Sequence, residues 1–119
     1  MYQVYTVIRD DLKMPVGKIS AQRGHARADL NFSLFEKDEK AYQDFQKSSK
    51  NFHEMKIKNE TDLLTVYSLA KGANLNCSLV IDQDPAIMAI NNGKPVATAL
   101  AIGPCSVEDV KHIVGFFYL

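Results

Sequence analysis

Polar side chains crowd the junction between the first strand-like and the first helix-like segment of this 119-residue chain. They are Arg9, Asp10, Asp11, Lys13, Lys18 and Gln22. In a strand–loop–helix unit, the end of the strand and the first turn of the helix converge on one crevice, where open α/β sheets usually bind ligands. We therefore expect this unit to carry the chemistry of the protein.

Charge is balanced over the whole chain but not at this junction. The chain has 14 basic and 14 acidic residues, so its net charge neither favours nor excludes binding to nucleic acid. Between residues 1 and 27, however, arginine and lysine outnumber aspartate. Such a local positive patch is what a small phosphate-binding site needs, although a solvated helix face has the same pattern.

Length and composition predict one ordinary globular domain covering residues 1–119. Cys77 and Cys105 form no CxxC motif and have no paired histidine spacing, so we expect no metal site from them. No cofactor is expected either. The sequence shows no apolar leader at Met1 and no apolar run long enough to cross a bilayer. It therefore predicts a cytoplasmic protein with reduced thiols and no membrane association.

The sequence also predicts the strands and helices that must position these polar residues. The β-branched and aromatic segment Tyr2–Ile8 predicts a strand that is buried on both faces. A helix is expected to begin at Pro15, because a first turn tolerates the missing N–H. Its apolar residues recur at three- and four-residue steps, which predicts that one stripe packs on a sheet. That stripe consists of Ala21, Gly24, Ala28, Phe32 and Phe35.

The remaining segments alternate between helix and strand patterns. The predicted elements are a charged surface helix over Glu36–Lys50, a half-exposed edge strand over Phe52–Lys58, a helix capped by Asn59 and ended by Gly72, and a short buried strand over Cys77–Ile81. Ser106 with Asp109 forms a capping box for a short helix, and Phe116–Leu119 is expected to return as a strand. The order β-α-α-β-α-β-β-α-β predicts an α/β fold with a mixed sheet sandwiched between helices.

One further pair of strands is expected around Asn92-Gly93. This dipeptide is favoured in type I′ hairpin turns, so the apolar residues Ile87, Met88 and Ile90 are predicted to pair with Val96–Ile102. If the segment Ile87–Ile90 is exposed instead, it would form an apolar patch of the kind that marks an interface.

The chain resembles the type 2, archaeal and eukaryotic-type, peptidyl-tRNA hydrolases. That family opens with an apolar strand followed by R-x-D-L-K-M-G-x-G-K and, after one apolar residue, A-A-Q-x-x-H-A. Here the segment from Arg9 to Ala26 reads RDDLKMPVGKISAQRGHA, with a proline at Pro15 in place of the family's glycine. The family's closing T-x-L-x-I-G-P is matched from Thr98 to Pro104. The length and the element order also agree, so the resemblance covers nearly the whole chain.

The resemblance implies an enzyme that hydrolyses the ester between a peptide and the 3′ end of tRNA, without a metal and as a homodimer. It assigns catalytic roles to Lys18, Asp82 and Thr98, with Gln22 and His25 in the supporting helix. Lys18 would supply positive charge to an oxyanion or to tRNA phosphates, Asp82 would orient or deprotonate water, and Thr98 would offer a hydroxyl. The same resemblance makes the acceptor end of peptidyl-tRNA the partner. The residues expected to bind it are Lys13, Gln22, Arg23 and Arg27.

Each of these residues also has a purely structural interpretation. In that interpretation Lys18 is an ordinary solvated lysine, and Asp82 is a strand-end aspartate that begins a turn. Thr98 suits a strand as a β-branched residue. Gln22 would then lie at the solvent-exposed edge of the buried face of its helix, and Arg23 and Arg27 would lie on a solvated face. For His25 we expect the structural role of a hydrogen-bonded packing residue.

The loop after Asp82 departs from the family pattern. Where the family reads D-A-G, a basic residue and then T-Q, this chain has Asp82-Gln83-Asp84-Pro85-Ala86-Ile87. A hydroxyl and a basic residue are therefore missing, and the loop before Thr98 is longer. This leaves two alternatives open: a non-catalytic member of the fold that binds RNA or protein, and an enzyme that hydrolyses another acyl ester on the same scaffold.

Overall fold

The first apolar segment forms β1 (Gln3–Arg9), an interior strand of a four-stranded sheet in the computed structural model, which describes residues 2–119. Every residue of β1 is buried, as its largely apolar, β-branched and aromatic sequence predicts. The other strands are β2 (Asn51–Ile57), β3 (Cys77–Asp82) and β4 (Val96–Cys105). Their order is β2-β1-β4-β3; β1 runs parallel to β2, and β4 is antiparallel to both β1 and β3.

Helices cover both faces of the sheet. The helices are α1 (Val16–Lys37), α2 (Glu39–Lys47), α3 (Glu60–Gly72) and the single turn α4 (Pro85–Met88). Val4 and Ile8 point to the face where Ala26 and Leu30 of α1 pack. The alternate residues of β1 point to the opposite face, which α3 and the C-terminal segment cover. The predicted α/β fold, with a mixed sheet between helices, is confirmed.

The caps at two helix starts follow from local sequence. The Asn59 side chain accepts a hydrogen bond from the Asp62 amide at 2.9 Å and so begins α3 as predicted. Asp38 does the same for α2 by accepting from the Ala41 amide at 3.0 Å. The predicted edge strand is also confirmed, since β2 lies at one edge of the sheet with half-exposed residues.

Helix α1 is present, but the predicted buried stripe is wrong. The residues that pack on the sheet are Gln22, Ala26, Leu30 and Leu34, which recur every four positions. The predicted stripe is turned outward, and its Phe32 and Phe35 are 66% and 45% exposed. The buried row was missed because it begins with a glutamine, a residue that is buried only when its amide has hydrogen-bond partners.

The predicted hairpin is also wrong. Asn92 and Gly93 adopt the positive φ values that the turn requires, 54° and 76°. The segment before them, however, forms α4 and a 3₁₀ turn (Ala89–Asn91) rather than a strand. Ile87 packs against the core beside α1, and Ile90 is 63% exposed. Asp84 and Pro85 begin this helical turn, because the Asp84 side chain accepts from the Ala86 amide at 2.9 Å.

Two smaller expectations need correction. Strand β3 is the second edge of the sheet and is only half-buried, because nothing pairs with its outer side in residues 2–119. The segment after Ser106 forms two 3₁₀ turns, Glu108–Val110 and Val114–Phe116, in place of a helix. The predicted last strand is reduced to one bridge between Lys56 and Tyr118.

Candidate active site

The candidate site lies where the first turns of α1 meet the end of β3. Strand β1 ends at Arg9, and a tight turn follows in which the Lys13 amide donates to the Asp10 carbonyl oxygen at 3.3 Å. Pro15 then precedes the first turn of α1. This places Lys18 in that turn and Gln22 one turn further, on the side of the helix that faces β3 and β4.

Lys18 and Asp82, 64 positions apart in the chain, form an ion pair across this junction. The Lys18 Nζ lies 2.9 Å from Asp82 Oδ2, and their side chains are 25% and 10% exposed. A second carboxylate, that of Asp84, lies 3.2 Å from the same ammonium. The hydrogen bonds that the ammonium donates to these two carboxylates raise the pKa of Lys18, so the site holds a fully charged ammonium at neutral pH.

The Asp82 carboxylate is held from three directions. Burial by itself would raise its pKa, but the hydrogen bonds that it accepts from Lys18, the Asp84 amide and Gln22 have the larger combined effect, and the pKa is lowered. The distances to the Asp84 nitrogen and to Gln22 Nε2 are both 2.8 Å. Asp82 is therefore an ionised, oriented acceptor with little freedom to rotate.

Gln22 connects this carboxylate to Thr98. Its Oε1 accepts a hydrogen bond from Thr98 Oγ1 at 2.7 Å while its Nε2 donates to Asp82. Gln22 is 3% exposed and Thr98 is fully buried. The Thr98 hydroxyl therefore donates its hydrogen to Gln22. The role toward a catalytic water that the resemblance implies for Thr98 stays a prediction.

A β-bulge brings Thr98 to this position. In the pairing of β3 with β4, Val80 is opposite Ala99, whereas Ile81 is opposite Ala97, so Thr98 is the extra residue of β4. A bulge lets two successive side chains point to the same face of a sheet. Thr98 consequently faces Gln22 of α1, which strict alternation along β4 would not allow.

Of these residues, Lys18, Gln22 and Asp82 border a cleft of about 250 Å³. Its lining consists of Lys18, Gln22, His25, Asp29, Val80, Ile81 and Asp82. Lys18 and Asp82 lie at one end of the cleft, His25 and Asp29 lie further along α1, and Val80 and Ile81 give it an apolar wall. A larger cavity, of about 550 Å³, lies at the opposite end of the sheet and is lined by none of the predicted site residues.

His25 is not the packing residue that the sequence predicted. Its side chain is exposed and borders the cleft. The reason is the rotation of α1 about its axis. Gln22 and Ala26 face the sheet, and His25 therefore points to solvent at the margin of the cleft.

Arg23 and Arg27 point away from the cleft, toward β2. Arg27 hydrogen-bonds Glu54 and stacks over the Phe52 ring, with its Cζ 4.4 Å from the ring centroid. Arg23 Nη1 lies 3.6 Å from the same Glu54 carboxylate. The two arginines therefore neutralise one glutamate on the sheet's edge strand, and as placed they do not share the cleft with Lys18.

The other basic residues of the junction lie outside the cleft as well. Lys13 is 77% exposed and pairs with Asp10 at 3.6 Å. Arg9 is buried, and its guanidinium donates to Asp11, to Glu60 and to the Ala97 carbonyl oxygen. Arg9 thus fastens β1 to β4 and α3. The prediction that all of these polar side chains share one crevice is correct only for Lys18 and Gln22.

Two residues at the site were missed from the sequence. Asp84 contacts Lys18, and Asp29 borders the cleft. The sequence indicates Asp84 only as a turn-forming residue, because a contact across 66 positions leaves no local signal. Asp29 lies one turn beyond His25 on the same side of α1. It would have been identified if the buried face of α1 had been predicted correctly.

Within residues 2–119, no three His, Cys, Asp or Glu side chains are grouped as a metal site requires. Cys105 is buried, and this burial raises its thiol pKa to about 12. A thiol with so high a pKa is a poor nucleophile at neutral pH. Over the same residues, no helix has the length and apolar character needed to span a membrane.

Comparison with known proteins identifies the family. The family model for peptidyl-tRNA hydrolase PTH2 matches residues 2–119. The peptidyl-tRNA hydrolase of Methanocaldococcus jannaschii is 30% identical over 117 residues, which cover 98% of each chain. That of Methanopyrus kandleri is 31% identical over 116 residues, 97% of this chain and 95% of the relative. The mitochondrial peptidyl-tRNA hydrolase 2 of Mus musculus is 29% identical, over 99% of this chain and 63% of its own. With its strand–helix motif, its sheet and its full-length match, this chain belongs to the PTH2 family of peptidyl-tRNA hydrolases.

Proposed function

We propose that this protein hydrolyses the ester bond between the peptide and the tRNA of peptidyl-tRNA, and so returns tRNA for reuse. The observation that carries the proposal is the pairing of the Lys18 ammonium with the Asp82 carboxylate, 2.9 Å apart at one end of an open cleft. Membership of the PTH2 family and the names of the relatives support it.

In this proposal the two charged groups divide the work of ester hydrolysis. Asp82, whose pKa is lowered, is ionised and orients the attacking water, whose proton passes through the carboxylate. The water oxygen bonds to the ester carbonyl carbon, and the oxyanion that forms is stabilised by the Lys18 ammonium. When the ester C–O bond breaks, the ribose oxygen of the tRNA takes up the proton and the free peptide acid leaves.

Thr98 and Gln22 act in this scheme as positioning residues. The buried chain of hydrogen bonds from Thr98 through Gln22 fixes the rotation of the Asp82 carboxylate. A carboxylate that is already held in one orientation loses less conformational entropy on forming the transition state than a mobile carboxylate does. Gln22 was expected to bind substrate; its amide is occupied at both ends, which favours the positioning role.

The tRNA itself would be held through its phosphates. Lys18, which borders the cleft, and the exposed Lys13 are the basic groups for the acceptor end. Arg23 and Arg27, which both pair with Glu54, would join them by exchanging Glu54 for a phosphate. Each such contact would make binding weaker at high salt, because counterions are released from the RNA. The proposal also includes a cytoplasmic location, as expected from the sequence, and a homodimer, which rests on the family resemblance alone.

The function is tested by peptide release from N-acylated aminoacyl-tRNA by the purified protein and by its Lys18→Ala variant. We expect release by the wild type and a loss of at least about tenfold in the variant, since removing one oxyanion donor commonly costs a hundredfold or more.

Lys40→Ala is the matched control. Lys40 also pairs with an aspartate at 2.9 Å, but on the exposed surface of α2. Equal rates for wild type and Lys18→Ala would remove Lys18 from the mechanism. Absence of release from the folded wild type would support the non-catalytic alternative.

No observation favours that alternative at present. It would gain support from an exposed apolar patch in the rebuilt loop, but Ile87 packs against the core and Ile90 is the one large apolar side chain of residues 83–94 that is exposed. Scattered exposed apolar residues are normal on protein surfaces and do not mark an interface.

A further inference from the structure

The Lys18 ammonium lies between two carboxylates that are held very differently. The Asp82 side chain is 10% exposed and has two further hydrogen-bond donors, Gln22 and the Asp84 amide. The Asp84 side chain is 44% exposed. Its Oδ1 caps α4, and its Oδ2 meets only Lys18 among the described residues, at 3.2 Å.

The charges at this end of the cleft add to a net negative value while both contacts are in place. One ammonium faces two carboxylates, so a phosphate or an oxyanion that approaches Lys18 is repelled by more charge than attracts it. Two of the three N–H groups of the ammonium are also occupied. An anion can gain the full benefit of Lys18 only after one carboxylate has left.

Asp84 is the carboxylate that can leave. Releasing Asp82 would break a contact inside a buried hydrogen-bonded group, whereas Asp84 gives up one exposed ion pair, a contact that contributes little to stability. Asp84 lies two residues beyond the last residue of β3, and its backbone amide holds Asp82 independently of its side chain.

We propose that Asp84 is a specificity-determining residue that occupies the Lys18 ammonium in the empty cleft and gives way when an anionic group of the substrate enters. The inference rests on the proposed function and names what that site selects: a ligand whose own negative charge replaces that of Asp84. Asp84 acts through Lys18 and is not placed in contact with the reacting atoms.

The variant Asp84→Asn tests this directly. Asparagine keeps the oxygen that caps α4 but loses the charge, so the fold is retained while the contact with Lys18 is lost. We expect KM for the tRNA ester to fall about two- to fivefold at low salt, the size of one exposed ion pair, with kcat changing less than about twofold. The gain should shrink at high ionic strength, where such charges are screened.

Asp44→Asn is the matched control, because it removes the same charge from an exposed lysine contact on α2. An equal fall in KM in this control would show a bulk-charge effect and would overturn the inference. A fall in kcat with KM unchanged in Asp84→Asn would also overturn it, because Asp84 would then hold Lys18 in its catalytic position.

A binding measurement separates the inference from the function itself. The affinity of deacylated tRNA for the wild type, Asp84→Asn and Asp44→Asn can be measured by fluorescence anisotropy, without any hydrolysis. Tighter binding by Asp84→Asn alone, in a protein that releases no peptide, would refute the hydrolase and support the role of Asp84. Unchanged binding and unchanged KM in an active enzyme would refute the role of Asp84 and leave the hydrolase standing.

Discussion

Gln22 shows most clearly how one residue links the fold to the site. A glutamine that is 3% exposed is unfavourable in a core unless both ends of its amide are hydrogen-bonded. Here one end accepts from Thr98 and the other donates to Asp82. The residue that disturbs the apolar stripe of α1 is therefore the one that orients the carboxylate, which is where local sequence rules are expected to fail.

The variant Gln22→Leu should cost about 1–3 kcal/mol in the free energy of unfolding, because the Thr98 hydroxyl would be left buried without a partner. Urea denaturation at neutral pH measures this. Thr98→Val alone should also destabilise, since it leaves the Gln22 oxygen unpaired.

The double variant supplies the control. With both partners apolar no polar group is left unsatisfied, so the loss should be smaller than the sum of the two single losses. Strict additivity would contradict a direct coupling between Gln22 and Thr98.

At the scale of elements, short-range chemistry decides where helices begin. Asn59 precedes α3 with extended backbone and a side chain that accepts from the Asp62 amide, and Glu60 and Asp62 add negative charge to the first turn. These signals span a few residues, which is why they could be recognised in sequence. The direction in which a helix faces depends on longer contacts, and for α1 it was predicted incorrectly.

Replacing Asn59 by alanine should lower the free energy of unfolding by about 0.5–2 kcal/mol, because the Asp62 amide loses its acceptor. Thermal or urea denaturation measures the change. Asn59→Asp should stay close to the wild type, since it retains an oxygen at the same position. A similar loss in both variants would show that the cap is not the source of stability.

At the scale of the whole molecule, Gly103 controls how closely β4 approaches β1. Its φ of +123° is one that residues with a side chain rarely adopt. A Cβ at this position would lie 2.6 Å from the Gln3 carbonyl oxygen, a backbone atom of the neighbouring strand. The two interior strands can therefore pair at this end only because the residue is glycine.

Gly103→Ala should destabilise the protein by about 1–3 kcal/mol or more, since both the strained φ and the backbone contact must be relieved. Gly24→Ala is the matched control: Gly24 lies within α1, and a Cβ added there would meet no atom of a neighbouring element within 4 Å among residues 2–119. That substitution should stabilise by up to about 1 kcal/mol through helix propensity. Equal unfolding midpoints for the two variants would contradict this account.

Local patterns in the sequence determined the first strand, the long helix after it, the N-cap of α3 and the family motif. They act over a few residues, where periodicity, capping and turn chemistry are decisive. The same patterns also indicated Lys18 and Asp82 as site residues, through the resemblance rather than through geometry.

Only the tertiary structure decided which side chains meet. The bulge that turns Thr98 toward Gln22, the rotation of α1 that exposes His25, and the contact of Asp84 with Lys18 all depend on the register and packing of distant segments. Two arginines that sequence assigned to the substrate pair instead with Glu54, because β2 lies beside them in the sheet order. Contacts between segments dozens of residues apart are fixed by global packing, which no short stretch of sequence specifies.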